Sequence, residues 1–303
     1  MKKHMILIAS LIAVILVSCN DKENSYEVRL TNNSQNKMYV NGSNPFNNVG
    51  EEHNTFLSQL GWKIQDHLEA FVSKGEINSP EMEEMMQYTL NEATQILKSK
   101  NNISEEVADE ILNNGLNGLS TRDIVNNPNS FDEEIKDLIK QSQGDLDVLY
   151  DIVNSLENSL VIQYNSGINE IEMDLKSLTV FKYSLIFWRD ALENSCNPWY
   201  YFIQSAYIKH ELKYIDYKPS LNNKSLFGDI CAKISKFSRT ACDWVVDKFS
   251  NIVSTVAYGA IFDAGSACVL LENGITNPYV VGGVSGAFSG LGIIYGWNNP
   301  LWK

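Results

Sequence analysis

Histidine is scarce in this sequence. Four occur in 303 residues, and one of them, His4, lies in an apolar leader. That leaves His53, His67 and His210, with no His-Glu-x-x-His motif. On one straight helix His53 and His67 would stand about 21 Å apart, too far to share a metal. No metal site and no cofactor are therefore expected. Basic residues are also short: 24 Lys and Arg face 37 Asp and Glu, for a formal net charge of −13. Nucleic-acid binding rests on phosphate neutralisation, so so acidic a chain is a poor partner for it. Alternating β-branched runs long enough for a sheet are missing between residues 50 and 215. No signature recurs at repeat spacing, which argues against a solenoid. Catalytic signatures are wanting too. Gly290-Leu291-Gly292 with Gly296 approaches a dinucleotide fingerprint, but its last gap is one residue too long and no strand precedes it. Ser285 and Ser289 sit among glycines without completing G-x-S-x-G. The reading therefore leans away from an enzyme.

What is present begins at the first residue. Lys2 and Lys3 precede an apolar run over 5–17 that is too short for a lasting transmembrane helix. It ends in Leu16-Val17-Ser18-Cys19. This layout is that of a removable export signal, and its end resembles the lipobox of bacterial lipoproteins. The resemblance implies that 1–18 is a signal peptide and that Cys19 is the lipid attachment site, carrying palmitate-type acyl chains. Two or more such chains hold a protein stably at a membrane. The expected place is outside the cytoplasm, in the cell envelope, lipid-anchored and most simply at the outer membrane.

Residues 19–48 are rich in Asn, Ser and Lys and read as a flexible tether. Alternation of Tyr26, Val28 and Leu30, and of Met38 and Val40, leaves a small hairpin open there. Residues 49–215 read as an α-helical body. His53, Leu57, Leu60, Ile64, Leu68 and Phe71 recur at helical spacing, and Gly75 closes that helix. Ser79-Pro80-Glu81 signals the next start, with Ser79 as the cap. A third helix opens at Ser104-Glu105-Glu106, and Asn113-Asn114-Gly115 is expected to end it, with a loop over 114–129. Ser130 to Glu133 spells a capping box, and Gly144-Asp145 a break and restart. A long helix follows over 168–192, and Asn197-Pro198 starts another. The fold class expected is all-α, an irregular helical bundle.

The last unit, 225–303, differs in kind. A helix is expected over 225–249. Beyond Lys248 only Asp263 and Glu272 carry side-chain charge until Lys303. Two apolar segments, 252–271 and 279–297, flank a turn at Glu272 to Pro278 and form a Gly-rich helical hairpin. Gly282, Gly286 and Gly290 fall on one helix edge, where missing side chains let another backbone come close. Three readings stay open for 250–302: a hairpin buried in the bundle, one that inserts into a membrane or meets a partner helix, or an irregular Gly-rich tail. Asp263 counts against insertion, at about 2.5–3.5 kcal/mol in a bilayer centre.

Four cysteines remain besides Cys19. Cys231 and Cys242, on one expected helix, would be about 16 Å apart and cannot pair. Cys196 with either of them, or unpaired thiols with Cys268, are both open.

His53 and Asn54 stand out as candidate functional residues. The segment from Pro45-Phe46 through Val49-Gly50 to His53-Asn54 resembles the start of uncharacterised Gram-negative lipoproteins that also end in a Gly-rich apolar tail. That resemblance implies no activity. A structural role for His53, bonding the preceding loop, competes with a catalytic one. Function is then ranked: a non-enzymatic binding or interaction protein first, a membrane-active protein inserting its hairpin second, an envelope hydrolase using His53 third.

Overall fold

The structure is a computed structural model and describes residues 44–75, 77–121, 130–212 and 251–295. The leader, Cys19, the hairpin considered near Tyr26, the helix expected over 225–249, and Cys231 and Cys242 lie outside them. The described residues form helices, without strands, and so an all-α bundle. In order these are α1 (Asn47–Ser73), α2 (Ser79–Asn101), α3 (Glu105–Thr121), α4 (Ser130–Ser142), α5 (Leu146–Asn165), α6 (Glu172–Glu193), α7 (Tyr200–Leu212), α8 (Asn251–Glu272) and α9 (Pro278–Tyr295). A single 3-10 turn, Asn169–Ile171, leads into α6.

Local chemistry sets the ends. Gly75 leaves α1 at φ +74°, a conformation that costs glycine nothing. The cap of α2 is Asn78 rather than Ser79. Its side chain accepts from the Glu81 N–H, and the Glu81 carboxylate accepts from the Asn78 N–H, each at 3.0 Å. Asn outranks or equals Ser at this position, and Pro80 fits the first helical turn either way. Asp145 caps α5 through the N–H groups of Asp147 and Val148, at 2.8 and 3.1 Å.

The expected stop at Asn113-Asn114-Gly115 does not occur: α3 runs on to Thr121. Leu112 and Leu116 are both buried, so the apolar face continues through the glycine. Gly115 serves close packing instead. A Cβ there would lie 2.6 Å from the Phe288 ring of α9.

The arrangement inverts the usual surface pattern of a bundle. A helix that is apolar all round belongs inside. In α9 every residue from Val280 to Tyr295 is buried, and α8 is buried from Ala260 through Leu270. This hairpin lies at the centre. α8 packs along α6, and α9 along α1 with α2 at its flank. The amphipathic helices surround it with one face inward, α1 through Phe56, Leu57, Leu60 and Ile64, and α2 through Met82, Met85 and Met86. One continuous apolar core joins them.

The α6–α7 corner is fastened by indoles. Trp199 donates its ring N–H to the Leu57 carbonyl of α1 at 2.9 Å, and its ring meets Trp188 edge-on at 5.8 Å. Asn197 ties the corner by donating to Asp190 and accepting from the Trp199 N–H, both at 2.9 Å.

Candidate functional site

Only two acidic side chains interrupt α8 and α9, and one of them, Asp263, is fully buried. A buried carboxylate needs donors. Asp263 Oδ2 accepts from the Ser184 hydroxyl of α6, and from the Trp188 indole N–H at 3.3 Å. His53 of α1 faces the same oxygen, with Nε2 at 3.0 Å. That approach is off the line of an in-plane hydrogen bond, and Asp263 Oδ1 has no hydrogen-bond partner among the described residues. The contact is one of charge and proximity more than of directed bonding.

The other side of the imidazole fixes its proton. Asn54 donates through Nδ2 to the Tyr183 carbonyl at 2.9 Å, which leaves its Oδ1 facing His53 Nδ1, also at 2.9 Å. An amide oxygen only accepts, so Nδ1 carries the hydrogen. A neutral ring would then present a lone pair at Nε2 to the carboxylate.

The glycines make this meeting of helices feasible. At Gly282 a Cβ would lie 2.5 Å from the Val49 carbonyl oxygen and 2.9 Å from the His53 nitrogen, both backbone atoms of α1. At Gly286 it would be 3.0 Å from the His53 carbonyl oxygen, and at Gly290 3.0 Å from the Leu60 side chain. Gly50 of α1 does the same toward α6, where the Tyr183 ring occupies the space. The segment from Val49 to Asn54 thus touches α6, α8 and α9 at once.

His53 and Asn54 are therefore brought together with Ser184, Trp188 and Asp263, three groups that spacing alone did not single out. His53 does not turn back to bond the preceding loop, as the sequence suggested, because α8 offers it a buried acid. The signal was present: an isolated acid in an apolar helix needs a buried partner, and His53 is the histidine on an apolar face. His67 lies elsewhere, stacked on Tyr88 with ring centroids 3.6 Å apart.

His53, Ser184 and Asp263 are all 0% exposed. Among the described residues no cluster of His, Cys, Asp and Glu could hold a metal. A second buried ion pair, Lys182 with Glu157, joins α6 to α5. An open cleft of about 680 Å³ lies elsewhere, between α3 and the α8–α9 turn, lined by Val107, Glu110, Ile111, Asn114, Asn273 and Ile275. No protein-family model matches the chain, and no curated protein or solved structure matches it.

Proposed function

We propose that the chain is an exported, lipid-anchored protein of the cell envelope that works by binding a partner rather than by turning over a substrate. The address rests on Leu16-Val17-Ser18-Cys19. The observation that carries the mode of action is burial: the chemically capable groups around His53 are sealed in the core and committed to joining three helices, α1, α6 and α8. A hydrolase built on His53 would need that junction to open before substrate could enter. Fractionation of cells carrying Cys19→Ala tests the anchor, with the released protein expected in the soluble envelope fraction. Retention of that variant through alkaline extraction would overturn the lipid as sole anchor. Turnover of an envelope substrate by the purified body would overturn the binding reading.

A second reading, insertion of the C-terminal hairpin into a membrane, is favoured by one observation. Among the described residues α9 alone is long and apolar enough to cross a bilayer, at 18 residues, although 89% of that stretch is buried. Such a helix is also what the core of a soluble bundle requires. Dye release from anionic vesicles by the full chain supports insertion; intact vesicles across the pH range count against it.

A further inference from the structure

Asn44 lies within the stretch that reads as tether, yet it is buried and held by three hydrogen bonds. Its Nδ2 donates to Glu157 Oε1 at 2.6 Å and to Thr179 Oγ1 at 2.9 Å. Its Oδ1 accepts from the Phe46 N–H at 2.8 Å. The Thr179 hydroxyl is already given to the Leu175 carbonyl at 2.7 Å, so it can only accept from Asn44. The amide orientation is thereby fixed. On the opposite oxygen of the same carboxylate, Glu157 Oε2, sits Lys182 Nζ at 2.5 Å. Glu157 and Lys182 are both 0% exposed.

An amine, a carboxamide and one carboxylate between them, all shielded from water, are the parts of an amide-exchange reaction. We propose that Lys182 and Asn44 become joined by a side-chain amide bond, with Glu157 carrying the protons and ammonia leaving. Glu157 takes a proton from the Lys182 ammonium, and the free amine attacks Asn44 Cγ. The carbonyl electron pair moves onto Oδ1, where the Phe46 N–H steadies it. Glu157, now a carboxylic acid, gives its proton to Nδ2 and becomes a carboxylate again. It then takes the extra proton from the new amide nitrogen as the old C–N bond breaks and ammonia leaves. The departing ammonia carries that last proton away from Glu157 as ammonium. Glu157 ends as it began, and no oxidant or cofactor is consumed.

Two features support this course. Burial pushes the Lys182 amine below its ordinary basicity, against the pull of Glu157, which favours the nucleophilic form. The usual competitor for an asparagine side chain is attack by the next backbone nitrogen. Here that nitrogen belongs to Pro45, which has no N–H. The product would tie the start of the body directly to the middle of α6.

Peptide mapping of the purified full chain after trypsin decides the matter. The expected result is a branched species joining residues 38–63 to residues 177–189, lighter than the two peptides together by the mass of one ammonia, with no cleavage after Lys182. Full cleavage after Lys182 and an unmodified peptide 38–63 would overturn the proposal. Lys182→Arg is expected to abolish the branched species. Glu157→Gln, where circular dichroism confirms the helical fold, is expected to abolish it too; its persistence would overturn the role of Glu157. The wild-type map stands without either variant.

Discussion

Removing a carboxylate's neighbours from water raises the cost of every change made to it. Asp263 has Ser184, Trp188 and His53 around one oxygen, all in the core. Breaking such a pair from one side leaves the other charge buried and unpaired, at about 3–5 kcal/mol. Asp263→Ala should therefore lower the unfolding free energy by about that much. His53→Ala should cost a similar amount, and the two changes together much less than their sum, because the double variant leaves no orphan charge. Denaturant unfolding of the three variants measures this, and strict additivity would show that the pair is not coupled. Tyr150 gives a second residue-scale prediction, in alkali. Burial pushes its phenol up to about 12 from an ordinary 10.0. Above pH 10 the unfolded chain loses this proton while the fold keeps it. The contribution is thus whole below pH 10 and drains as pH rises through 12, on the order of 2–3 kcal/mol. Tyr150→Phe should flatten the fall in stability over that window. An unchanged alkaline slope would assign the fall to other groups, Tyr183 first, whose phenol burial also raises strongly.

At the scale of the element, α9 is a helix whose glycines do different jobs. A methyl group at Gly282 would meet two backbone atoms of α1, at 2.5 and 2.9 Å, which cannot swing aside. Gly282→Ala should destabilise by about 1–3 kcal/mol or more, as overpacking does. At Gly292 the nearest neighbour is the Phe262 ring at 3.4 Å, an ordinary contact. There the helical preference of alanine, up to about 1 kcal/mol, should prevail and raise the melting temperature. Thermal unfolding of the two variants reads opposite signs, and equal signs would mean that α9 is not seated as described. Much of this was legible in the chain itself. Periodicity marked α1, α2, α5 and α6, and spacing by four marked Gly282, Gly286 and Gly290 as one edge. The misreadings have a common origin. Gly115 looked like a terminator because the Phe288 ring it accommodates is remote in sequence. His53 lies on the apolar face of its own helix, but its partner is supplied by a helix more than two hundred positions on. No local pattern marks Lys182 and Glu157, because only the three-dimensional fold puts both in the core. Local patterns record what a residue does to its own helix; they are silent on which helix it will meet.

For the whole molecule, the hairpin is the core on which the other helices are laid. Val281, Val284, Phe288, Leu291 and Ile294 are each 0% exposed. At roughly 1.5–3 kcal/mol apiece their burial rivals the entire net stability of a typical domain, about 5–15 kcal/mol. Deleting 279–303 should therefore leave a chain without fixed tertiary packing, seen as lost near-ultraviolet circular dichroism and a tendency to aggregate. Loss of any activity in that deletion would say nothing about membrane insertion. A point change in the full chain separates the two proposed modes. For α9 to enter a bilayer it must first leave α1, and the tightest contact it must give up is at Gly282. Gly282→Ala wedges that contact while adding one methyl to an apolar helix, which a bilayer accepts readily. If the hairpin inserts, this variant should be less stable in water and release vesicle contents faster than the wild type. If the molecule acts as a folded binder held by Cys19, the variant should be less stable and leave vesicles intact. Dye release and denaturant unfolding on the same preparation give both readings. Faster release would favour insertion over the proposed binding role, and its absence in a demonstrably destabilised variant would remove the hairpin from consideration as a membrane weapon.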